Sequence, residues 1–76
     1  MPVTFQAVTL DTGLPDREAT LVFREGRLLA VLSCLSDIHG ELAGQWFVEM
    51  DFACLADPRQ RMFASLDAAK AHLEAR

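Results

Sequence analysis

From Trp46 to Cys54 the chain alternates. Trp46, Val48, Met50, Phe52 and Cys54 form one row, and Phe47, Glu49, Asp51 and Ala53 form the other. A two-residue period is that of a strand with one face buried. From Met62 the period lengthens, with Met62, Phe63, Leu66, Ala69 and Leu73 recurring at helical spacing. Ser65 stands where an N-cap belongs, so a helix is predicted over about residues 63–75.

Upstream, three further segments read as strands. Residues 3–10 are rich in Val, Thr and Phe, while 19–24 and 27–35 are apolar runs separated only by Glu25 and Gly26. Two residues ending in glycine suit a tight hairpin. That turn sets Arg24 opposite Arg27, Phe23 opposite Leu28 and Val22 opposite Leu29. Parity then sends Leu21, Phe23, Leu28, Ala30, Leu32 and Cys34 to one face. The fourth strand, over about 45–54, pairs with the third if Cys34 lies beside Trp46, Leu32 near Val48 and Ala30 near Met50. Asp57 and Pro58 end it, since proline cannot donate to a ladder. The predicted fold is α+β: a four-stranded, mainly antiparallel β-meander with one C-terminal helix on one face, in two layers. Residues 1–76 form one small domain. Strand one has three possible places: beside strand two, swapped between subunits, or at an edge.

The same register gives the face away from the helix its own apolar row. Val22, Leu29, Val31, Leu35 and Phe47 are expected there, interspersed with Arg24, Arg27, Glu49 and Asp51. One helix covers only one face, and the apolar share of 51% is high for so short a chain. An apolar centre with both charge signs around it suits a self-complementary protein interface. These nine residues are the expected interaction surface, and a homodimer or a complex with another protein is the expected state.

Charge narrows the partners. Eleven acidic against seven basic side chains leave a net charge of −4, which opposes nucleic-acid phosphates and anionic membranes. Two cysteines are too few for a disulfide scaffold, and no basic-then-apolar leader opens the chain, so a cytoplasmic location is expected. In the expected register Cys34 and Cys54 are separated by about eight residues, roughly 26 Å, beyond disulfide reach. His72 is expected on the solvent side of the helix.

One string carries a chemical resemblance. Ser36-Asp37-Ile38-His39-Gly40 resembles the first metal-binding motif of calcineurin-like metallophosphoesterases, and by that resemblance Asp37 and His39 would be metal ligands. The family also uses a downstream Gly-Asp segment, an Asn-His-Glu-type motif and further histidines on a larger sandwich. After His39 this chain has only His72, and it has no asparagine. The string is therefore read as a polar loop in which Asp37 and Gly40 supply turn geometry. Residues 63–69 are also similar to the ends of many short bacterial sheet-plus-helix proteins, a likeness that singles out no family. No catalytic residue, metal site or cofactor is assigned. The leading expectation is a non-enzymatic interaction module, and the alternative is a small-ligand or metal-binding protein using the 37–41 loop.

Overall fold

The computed structural model describes residues 2–13, 17–52 and 61–75. Five antiparallel strands lie side by side in chain order: β1 (Thr4–Thr9), β2 (Glu18–Arg24), β3 (Arg27–Cys34), β4 (Trp46–Asp51) and β5 (Met62–Phe63). The helix α1 (Leu66–Glu74) follows. The fold is thus the expected α+β meander with a C-terminal helix, enlarged by one short strand. Strand one takes an edge, paired with β2 from Thr4↔Phe23 to Thr9↔Glu18. Cys54 and the Asp57–Pro58 stop lie outside the described residues.

The β2–β3 hairpin turns on Glu25 and Gly26, with φ of 54° and 76°. Two consecutive positive φ values belong to the turn whose twist matches right-handed strands. The register around it has Arg24↔Arg27 and Phe23↔Leu28, as expected. A side chain at Gly26 has open space around it but would sit in the left-handed region. Gly26→Ala is expected to cost about 1–2 kcal/mol on conformational grounds alone. Urea denaturation would show a lower midpoint with an unchanged slope.

Phe63 was expected on the helix stripe and instead lies in β5, opposite Trp46. The helix begins later because Ser65 is extended (φ −152°) and its hydroxyl accepts from the Ala68 N–H at 3.1 Å. That bond fills one of the orphan donors of the first turn. At the other end the Val3 N–H donates to Glu74 Oε2 at 2.9 Å. The helix therefore crosses the sheet diagonally, from the β5 corner to the start of β1. Beneath it sits the core: Val3, Val22, Leu29, Ala30, Leu32, Trp46, Val48, Phe63, Ala69 and Leu73 are buried, with Phe5, Cys34 and Leu66 packed at the margin.

Candidate interaction surface

Two bulges decide which side chains the helix covers. The first falls between Val22 and Phe23, where the register jumps from Phe23↔Leu28 to Val22↔Ala30 and leaves Leu29 as the extra residue. An extra residue breaks the alternation, so Leu29 and Ala30 both enter the core. Val22 and Leu29, expected on the outer face, are 0% and 4% exposed. They are core residues. Leu21, Phe23 and Leu28, expected under the helix, share the opposite face: Leu21 pairs with Val31, and Phe23 with Leu28.

The second bulge lies opposite Val31 and Leu32. Leu32 pairs with Val48 as expected, but Val31 pairs with Met50 and Ala30 with Asp51, which makes Glu49 the extra residue. Glu49 and Met50 therefore both point outward, and Met50 is 50% exposed. The same register places Asp51 on the inner side, next to Ala30. Alternation from Val22 likewise places Arg24 and Arg27 on the inner side. Of the nine expected interaction residues, Val31, Leu35, Phe47 and Glu49 remain on the outer face.

That face is an apolar sheet surface with a small polar centre. Val8, Leu21, Phe23, Val31 and Phe47 are half-buried there. Between them the small Ala19 and Ser33 are almost fully buried, at 0% and 1% exposure. Ser33 Oγ donates to Glu49 Oε1 at 2.8 Å, so that carboxylate is already engaged. Towards the β4 edge the surface dips into a groove of about 380 Å³ lined by Leu35, His39, Leu42, Phe47, Glu49 and Met62.

One wall of that groove is the Asp37–Leu42 segment. It forms two short 3-10 turns broken at Gly40, where φ is 59°. The His39 N–H donates to the Ser36 carbonyl at 3.1 Å, and the Gly44 N–H to the Leu35 carbonyl at 2.8 Å. Asp37 is exposed, whereas His39 is half-buried in the groove beside Glu49. Among the described residues, no group of three or more His, Cys, Asp or Glu side chains is placed to hold a metal ion. Ile38 is 68% exposed, so this segment adds an apolar knob beside the groove.

Cys34 lies on the inner face beside Trp46, with Sγ 4.0 Å from the Leu35 carbonyl. His72 is not on the solvent side of the helix. Its ring leans on Phe63 at 5.2 Å between centroids and 50° between planes, because α1 packs that side against β5. Its Nε2 is shielded from solvent and has no hydrogen-bond partner among the described residues.

Among the described residues, no helix is long and apolar enough to cross a membrane. Comparison with family models, with curated proteins and with solved structures finds no match to this chain.

Proposed function

We propose that the protein is a small, non-enzymatic, cytoplasmic interaction module that docks the outer face of its sheet on a second copy of itself. One observation carries the reading. Among the described residues one α-helix covers the inner face, while Leu21, Phe23, Val31, Phe47 and Met50 lie on the opposite face. A sheet with helix on one side ordinarily turns a polar face to water. Contiguous apolar surface on a chain this small is better accounted for by an interface.

Size agrees. The two longer dimensions of the molecule, 34 and 24 Å, bound a face of the extent that one partner contributes to a standard interface, about 800 Å². A face meeting its own copy needs no partner of opposite charge. In this one the carboxylate of Glu49 is already hydrogen-bonded within its own chain. The residues are suited to burial rather than to proton transfer.

Sedimentation equilibrium over a range of concentrations tests this. Val31 is central, paired to Leu21 on one side and Met50 on the other. Val31→Glu is expected to turn a dimer into a monomer while circular dichroism stays unchanged, because the substitution leaves the helix side alone. A wild-type chain that is monomeric at high micromolar concentration would overturn the reading. Association that appears only with added divalent ions would instead favour the alternative, a metal held by Asp37 and His39.

A further inference from the structure

The β2–β3 hairpin tip carries a second, chemically different feature. Arg24 and Arg27 are direct cross-strand partners, which brings their side chains onto one side of a two-residue turn. Like charges directly opposite are destabilising, and this chain has a net charge of −4 and only seven cations to place. Neither guanidinium pairs with a carboxylate among the described residues.

Around the two arginines lies a cleft of about 270 Å³, completed by Glu25, Leu28, Leu29 and Phe52. Leu29 is buried, whereas Leu28 and Phe52 are 39% and 56% exposed. The Phe52 N–H donates to the Leu29 carbonyl at 2.9 Å, which fixes that backbone at the cleft edge.

The geometry points to a binding site for an acidic side chain on a partner polypeptide, with the apolar residues flanking that side chain resting on Leu28 and Phe52. Two guanidiniums supply the planar donors that a carboxylate takes in pairs. The cleft's volume is near the lower end of the range for small-molecule pockets, a fit for one side chain with its neighbours on the rim. The overall negative charge opposes a nucleic-acid phosphate chain, which would have to approach the whole molecule. Among the described residues Glu25 is the one carboxylate in the lining, and it sets the site against highly charged anions. The site lies at the hairpin end of the sheet, where Arg24 and Arg27 come from the inner side and Leu28 from the outer.

The test is a nuclear magnetic resonance titration of the full chain at low ionic strength. The probe is acetyl-Leu-Glu-Leu-amide, with acetyl-Leu-Gln-Leu-amide and inorganic phosphate as comparators. Saturable shifts confined to residues 24–29 and Phe52 are expected with the glutamate peptide. The glutamine peptide, or the Arg24→Gln/Arg27→Gln double variant, is expected to bind at least about tenfold more weakly, the effect of losing a charge-assisted hydrogen bond. The double variant should also unfold at a higher urea concentration, since it loses the like-charge contact. That gain would show the lost binding is not lost folding. Absent or non-saturating shifts, equal binding of the two peptides, or undiminished binding by the double variant would overturn the proposal. Phosphate binding as tightly as the peptide would overturn the polypeptide occupant.

Discussion

Leu32→Ala is expected to destabilise the protein by about 2–5 kcal/mol. Leu32 and Leu73 are the largest fully buried side chains among the described residues, and Leu32 lies in the central strand between Thr20 of β2 and Val48 of β4. Alanine there leaves a space that cannot readily collapse, since β2 and β4 are hydrogen-bonded on either side and the helix lies above. Folded domains are worth about 5–15 kcal/mol, and one this small sits at the low end. The variant is therefore expected to be partly unfolded at ambient temperature. Urea denaturation followed by circular dichroism measures it, and a loss below about 0.5 kcal/mol would mean that Leu32 is not at the centre of the core.

Phe63→Ala is expected to cost about 3–5 kcal/mol. Phe63 is 4% exposed, pairs with Trp46 and supports the His72 ring. Its truncation removes the large side chain that joins β5, the edge of β4 and the helix. Leu66, half-buried at the margin of the same core, is expected to cost about 2 kcal/mol, at the bottom of the range. A larger loss from Leu66→Ala than from Phe63→Ala would contradict the placement of Phe63 in a strand.

Much of the architecture was legible in the chain. The Glu25–Gly26 turn, the Cys34–Trp46 and Leu32–Val48 pairings and the Ser65 cap follow from period, turn chemistry and capping, all of which are local. The faces were harder. Residues 28–32 are an unbroken apolar run, Leu-Leu-Ala-Val-Leu, and such a run fits either face equally well. One extra residue at Leu29 then exchanges the two faces of β2, and nothing in the run marks where it falls. Glu49 repeats the problem in β4, where a charged residue beside Met50 reads as ordinary alternation. The short β5 was hidden differently, because Phe63 and Leu66 are three apart and so mimic a helical stripe across the Ser65 cap. An outer apolar surface survived these errors because both rows of β3 are apolar. Its membership did not.

The bond between Val3 and Glu74 joins residues 71 positions apart. Such a contact has a consequence in time. Closing a loop of nearly the whole chain costs more entropy than closing the two-residue hairpin, and the cost must be met before the contact is rewarded. Assembly is therefore expected to begin at the β2–β3 hairpin and spread outward, with the helix laid across the sheet as one of the last events. Interactions formed that late hardly change the rate of folding; they govern how long the finished molecule stays folded.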